Sequence, residues 1–255
     1  MTGAFGRAAS CARTNWRMKA GLSAGLTLFF CVPYFTLQRL TLFPARALAL
    51  SPIDRAIDFD PRWVWAYQSV YLLLAIAPWM VTTHSELRQY ARGFMLLSGV
   101  GFVFFLLLPV RGPRPDIEAS NFMYRTLQWY DRPLNCFPSL HVGLAAYTVL
   151  FAATVSRGRL TVSARRVIVF LAWLWTTLIA YAALATKQHY AIDLPAGTLL
   201  ACVCHWWNCH NTQRSMSHAE RPTVRPRLSP GPVGVLLSER DEYVAATRGD
   251  ARARE

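Results

Sequence analysis

Charge is scarce in this sequence. Only 16% of its 255 residues are Asp, Glu, Lys or Arg, against about 25% in an ordinary soluble domain, which argues against a fully solvated globular fold. Acidic residues are scarcest, 14 against 27 basic ones, for a net charge of +13. Such an excess can serve nucleic acid. Here the basic residues sit at the ends of apolar runs and in the tails, where anionic headgroups and topology account for them better, so no nucleic-acid partner is expected. The six cysteines are scattered without a framework spacing, which argues against a disulfide scaffold. No internal repeat is evident, and the apolar runs lack charges along their length. Both absences weigh against a transporter, whose ion path would be marked by ionisable groups at depth.

What fills the chain instead is apolar sequence, 53% of the residues. Six stretches are free of Asp, Glu, Lys and Arg and reach, or nearly reach, the ~20 residues needed for a crossing. They lie between Lys19 and Arg39, Arg62 and Glu86, Arg92 and Arg111, Arg132 and Arg157, Arg166 and Lys187, and Asp193 and Arg214. The expected fold is all-α, a six-transmembrane-helix bundle over 20–211 with short loops. A basic cytoplasmic N-terminus (1–19) precedes it and a disordered basic tail (212–255) follows. The first run is too long for a signal peptide and reads as a retained span. Pro33 and Pro78 predict kinks in the first two spans. About 18 of the Lys and Arg residues fall on one side and about 9 on the other, which puts both termini in the cytoplasm. Ser51-Pro52-Ile53-Asp54 predicts a short helix by its cap. Trp63 to Tyr67 reads as an interfacial aromatic belt, and Tyr124, Trp129 and Tyr130 as either interface or headgroup pocket.

Ionisable residues gather where spans end. Thr186-Lys187-Gln188-His189-Tyr190-Ala191-Ile192-Asp193 joins the fifth and sixth runs. On a helix, His189 and Asp193 would share one face, the carboxylate reaching the imidazole of the preceding turn. Pro109 to Pro115, carrying Arg111 and Arg114, closes the third run, and Cys136-Phe137-Pro138-Ser139-Leu140-His141 opens the fourth. The topology brings all three to one membrane face. Two His, an Asp, two Arg and a Lys at one surface suit phosphoryl transfer through a histidine. Imidazole is a good nucleophile near neutral pH, and a carboxylate fixes its tautomer. Arg114, with Arg111 or Lys187, would hold phosphate oxygens, and a second His would protonate the leaving oxygen. His-x-x-x-Asp spacing can also ligate a metal, but the Arg and Lys neighbours oppose a cation. Cys202-x-Cys204-His205 with Cys209-His210 superficially resembles a zinc cluster, and apolar packing or reversible lipidation accounts for it better.

At these motifs the chain resembles the type-2 phosphatidic acid phosphatase superfamily of membrane lipid phosphatases and phosphotransferases. Arg114-Pro115, Pro138-Ser139-Leu140-His141 and His189-Tyr190-Ala191-Ile192-Asp193 match its three signatures in order, and the resemblance covers roughly residues 20–208. It implies a six-helix fold with His189 as nucleophile, Asp193 as its orienting partner and His141 as general acid. It implies phosphate binding by Arg114 and Ser139, and no metal or other cofactor. Leu107 stands where the family's motif Lys would be, Leu140 where it has Gly, and Ala183 where it has Arg; Arg111 and Lys187 are the nearest replacements. Phe-Pro-Ser-Leu-His with Thr-Lys-x-His-Tyr-x-x-Asp is closest to the inositol phosphorylceramide synthase branch, which moves a phospho-headgroup between lipids. The expected partners are membrane lipids and a lipid phosphate. A catalytically inactive lipid-phosphate-binding relative is the alternative that the three replaced positions leave open. The Arg and Ala content points to a bacterial source, which would make the protein an inner-membrane one with its site facing the periplasm.

Overall fold

The computed structural model describes residues 15–40, 42–81, 83–116 and 121–219. The chain divides into Met1–Gln213 and Arg214–Glu255, and the packing and the site belong to the first. The helices are α1 (Trp16–Leu37), α2 (Pro52–Ala56), α3 (Val64–Gln68), α4 (Val70–Ile76), α5 (His84–Leu107), α6 (Phe122–Tyr130), α7 (Leu140–Val155), α8 (Val162–Ala185) and α9 (Asp193–Ala219). Side-chain oxygens start several of them by taking an otherwise orphaned backbone N–H. Thr83 accepts from Glu86 N at 3.3 Å, Asn121 from Tyr124 N at 3.1 Å, Ser139 from Val142 N at 3.4 Å and Thr161 from Ala164 N at 3.3 Å. The expected Ser51 cap forms a full capping box, with Asp54 reaching back to the Ser51 N–H at 2.8 Å.

Three helices, α1, α5 and α8, are long and apolar enough to cross a membrane, and α7 is a shorter apolar helix. The predicted second span departs from a continuous helix. Residues Pro61–Trp63 and Ala77–Met80 are 3-10 turns flanking α3 and α4, with Pro78 inside the second turn. Proline cannot donate an N–H and crowds the preceding turn, so the chain tightens there where a kink was expected. Pro33, by contrast, is accommodated inside α1. At the other end α9 continues through Ala219, beyond the expected start of the tail at 212. The rest of the tail, and residues 1–14 of the expected basic N-terminus, lie outside the described residues.

The main core joins α1, α5, α7 and α9 through Leu26, Phe30, Phe94, Leu97, Leu144, Tyr147 and Ala201. Two glycines set how closely α7 and α9 approach. A methyl group on Gly197 would lie 2.2 Å from the Ser139 carbonyl oxygen, and one on Gly143 would lie 3.0 Å from that of Gly197. Only a residue without Cβ permits that contact, and it sets the start of α7 against the start of α9. The all-α expectation needs one small amendment. Arg46–Ala47 (β1) and Val110–Arg111 (β2) form a two-stranded parallel ladder, and Val110 also bridges to Asn135. Gly112 N donates to Pro133 O at 2.9 Å and Cys136 N to Val110 O at 3.3 Å, so the Arg114 loop is sewn to the loop that enters α7.

Candidate active site

The three predicted segments meet. His189 lies in the turn after α8 and Asp193 begins α9, so the two are joined across a turn, not along a helix face as their spacing suggested. The turn still delivers the expected contact, with His189 Nδ1 3.4 Å from Asp193 Oδ2. Nδ1 is also 2.9 Å from the main-chain oxygen of Cys136. Both oxygens are acceptors, and the nearby Cys136 thiol donates to Asp193, so the contacts favour the ring proton on Nδ1 and the lone pair on Nε2. Asp193 Oδ2 is fixed in turn by the Tyr190 N–H at 2.8 Å and the Cys136 thiol at 2.9 Å. Both side chains of the pair are buried.

His141, in the first turn of α7, is buried with its ring centroid 6.0 Å from that of His189. Tyr67 of α3 stacks on it at 4.4 Å, its hydroxyl 3.2 Å from Nδ1. That leaves Nε2 buried and without a hydrogen-bond partner among the described residues. Ser139 joins through its backbone, donating its N–H to Asp193 O at 3.1 Å. Arg114 is half-buried beside them. It donates to Asp131 O at 2.6 Å and, in a very short contact, to the Gln188 side-chain oxygen; its nearest approach to the Asp131 carboxylate is 3.9 Å. Its Nε has no partner among the described residues. Arg114 and His189 both line one small cavity of about 10 Å³, with Tyr67, Asp131, Cys136 and Gln188.

Two predicted phosphate ligands lie elsewhere. Lys187 adopts a left-handed backbone (φ 55°) and sends its ammonium to the main-chain oxygens of Asp54 and Ile57, at 2.7 and 2.5 Å. It thereby takes up carbonyls at the end of α2, a usual role for lysine at a helix C-terminus. Arg111 is exposed on β2 and offers its carbonyl to the Tyr190 hydroxyl at 3.1 Å.

Other site residues were not legible as such. Asp131 accepts from the Tyr34 hydroxyl at 3.1 Å and, in a very short contact, from Gln38. Burial pushes its carboxyl above the usual range, against the pull of Arg114, Gln38 and Tyr34. Tyr67 stood in the sequence among belt aromatics; it is buried, whereas Trp65 beside it is 63% exposed. Burial and Asp193 push the Cys136 thiol, in the loop before α7, well above its usual range. Asp54 reaches the His189 turn from α2, accepting from Ala191 N at 2.7 Å. Burial alone would raise its carboxyl, but hydrogen bonds from Ser51 and Ala191 and the charge of Lys187 outweigh that and hold it below 3.8. Tyr124 proves structural, buried with its hydroxyl on Thr186 O at 3.0 Å, while Trp129 is 85% exposed.

No curated protein and no solved structure matches the chain. Residues 91–217, which carry Arg114, Ser139, His141, His189 and Asp193, match the family model described as the PAP2 superfamily, a family of phosphatases and phosphotransferases.

Proposed function

We propose that this protein is a membrane lipid phosphatase or phosphotransferase of the PAP2 superfamily that works through a phosphohistidine at His189. The observation that carries the reading is the pair of acceptors around His189 Nδ1, which leaves Nε2 free to attack. Nε2 forms a bond to phosphorus while the bond to the ester oxygen breaks. His141 Nε2 gives its proton to that departing oxygen. Arg114, with its spare Nε, binds the phosphoryl oxygens and offsets the charge that builds on them. A water or a lipid alcohol then gives its proton to His141 and attacks phosphorus, the P–N bond breaks, and His189 is regenerated.

Six crossings, with the site on the non-cytoplasmic face (periplasmic in a bacterial inner membrane) and both termini inside, complete the reading. It is supported by the six charge-poor stretches and the placement of Lys and Arg. The Phe137 to His141 and Lys187 to Asp193 motifs support inositolphosphotransferase-like headgroup transfer as the branch. The second reading, a lipid-phosphate-binding protein without turnover, is favoured by Lys187 being committed to the carbonyls of Asp54 and Ile57, which leaves Arg114 as the only one of the three predicted cations lining the cavity.

The deciding experiment is phosphate release from a panel of lipid phosphates by the protein in detergent with a chelator present. A parallel assay follows headgroup transfer from phosphatidylinositol to a lipid alcohol. Turnover that is lost in both His189→Ala and His141→Ala supports the mechanism, and the stronger assay names the branch. Lipid binding without turnover in either assay establishes the second reading.

A further inference from the structure

The mechanism above uses the main chain of Cys136 but not its side chain, and that side chain lies at the centre of the nucleophile's support. Its Sγ is 2.9 Å from Asp193 Oδ2 and 3.6 Å from His189 Nδ1, and those two atoms are 3.4 Å apart. A sulfur, an imidazole nitrogen and a carboxylate oxygen thus form a compact triangle within three buried residues. A tetrahedral zinc ion, with bonds of about 2.0–2.3 Å, needs ligand atoms roughly 3.5 Å apart. A dication held by one thiolate and one carboxylate is neutral overall, which suits a buried position. Asp193 Oδ1 is also buried without a hydrogen-bond partner among the described residues. Of the basic neighbours that oppose a cation, Lys187 turns its ammonium away onto the main-chain oxygens of Asp54 and Ile57, and the Arg114 guanidinium faces the Asp131 carboxylate at 3.9 Å.

We infer that Cys136, His189 and Asp193 form a binding site for a thiophilic divalent cation, zinc being the best fit, and that its occupancy silences His189. Thiolate and imidazole donors favour zinc over magnesium or calcium, which take oxygen ligands. On binding, metal–sulfur and metal–nitrogen bonds form. The Cys136 thiol proton leaves to solvent, and the His189 proton moves from Nδ1 to Nε2, at the expense of the hydrogen bond to Cys136 O. A proton on Nε2 occupies the lone pair that attacks phosphorus. One nitrogen therefore holds a proton in the active state and a metal in the silent one. The silencing rests on the reading of His189 as nucleophile; the binding does not.

The test uses the full-length protein in detergent, stripped with chelator and titrated with cobalt(II), whose ligation by thiolate produces a sulfur-to-metal absorption band. The band should saturate at one cobalt per chain, be displaced by zinc and disappear in Cys136→Ser. His189→Ala and Asp193→Asn should need at least about tenfold more cobalt, and they carry the test if the serine variant does not fold. Cys204→Ser and Cys209→Ser, distant from the site, should keep the band. A band that persists in Cys136→Ser, or that is lost with Cys209→Ser, overturns the site. Saturating zinc should lower wild-type phosphate release by about tenfold or more, yet leave Cys136→Ser within about twofold of its own metal-free rate. Zinc bound at Cys136 with undiminished turnover overturns the silencing. Turnover that survives His189→Ala sinks the nucleophile reading instead, while the cobalt band still reports on the site.

Discussion

Helix α7 has a histidine cluster at each end, and the two are built differently. At its start, His141 and His189 sit among Asp193, Arg114, Asp131 and the Cys136 thiol, and Nδ1 of His189 is fixed by two acceptors. At its far end, His205 of α9 faces the Thr154 hydroxyl at 3.2 Å and the Cys209 sulfur at 3.6 Å. The partners of that ring are a hydroxyl and a sulfur, and its Nδ1 is buried without a hydrogen-bond partner among the described residues. Similar residue types therefore do not make equivalent sites. What separates the two is the Asp193 carboxylate beside the imidazole and the Arg114 guanidinium that shares its cavity.

The sharpest way to break this comparison is to remove one histidine from each end. On the proposed mechanism His189→Ala should lower turnover on the order of a thousandfold or more, because it removes the proposed nucleophile. His205→Ala should stay within about twofold of wild type, since only buried packing changes. Comparable losses in a phosphate-release assay would mean that the far cluster takes part.

Glycines give a subtler contrast. A methyl on Gly197 meets the Ser139 main-chain oxygen, whereas one on Gly93, toward the far end, meets the Tyr147 side chain, 2.0 Å from its hydroxyl. Either alanine variant should destabilise the fold by about 1–3 kcal/mol through overpacking. Only Gly197→Ala should also reduce kcat, because it pushes the start of α7 away from Asp193. Thermal unfolding read beside turnover separates the two effects.

The smallest effect concerns acid stability. The Asp54 carboxyl titrates lower in the folded chain than its ordinary 3.8. Its contribution is therefore complete above that ordinary value and is lost as pH falls through the lower, folded one. Melting temperatures followed from neutral pH down to about pH 3 should show a shallower acid decline for Asp54→Asn than for wild type. An unchanged slope would mean that the contact with Ala191 adds nothing to stability.

Much of the site could be read from the chain because its parts are short motifs at the ends of apolar runs. His141, His189, Asp193, Arg114 and Ser139 announce themselves by type and spacing, and the structure brings them together. Asp131, Gln188, Tyr67 and Asp54 do not, because each acts through a partner far away in sequence. The bond between Asp54 and Ala191 joins residues 137 positions apart. Lys187 misled for a related reason: its left-handed backbone and the two carbonyls that receive it depend on tertiary contacts. The apolar runs signalled helices, but composition could not show that residues 61–80 would break into turns and short helices at Ser69 and Pro78.

The reciprocal grip between α2 and the His189 turn has a consequence for how the chain can vary. Asp54 holds the turn through Ala191, and Lys187 in the turn holds α2 through Asp54 and Ile57. Neither segment can be grafted from a relative without the other and keep its footing. Residues 51–57 and 186–193 are in effect a single heritable cassette split across the gene, and a chimera that mixes its halves would fold around a misaligned histidine.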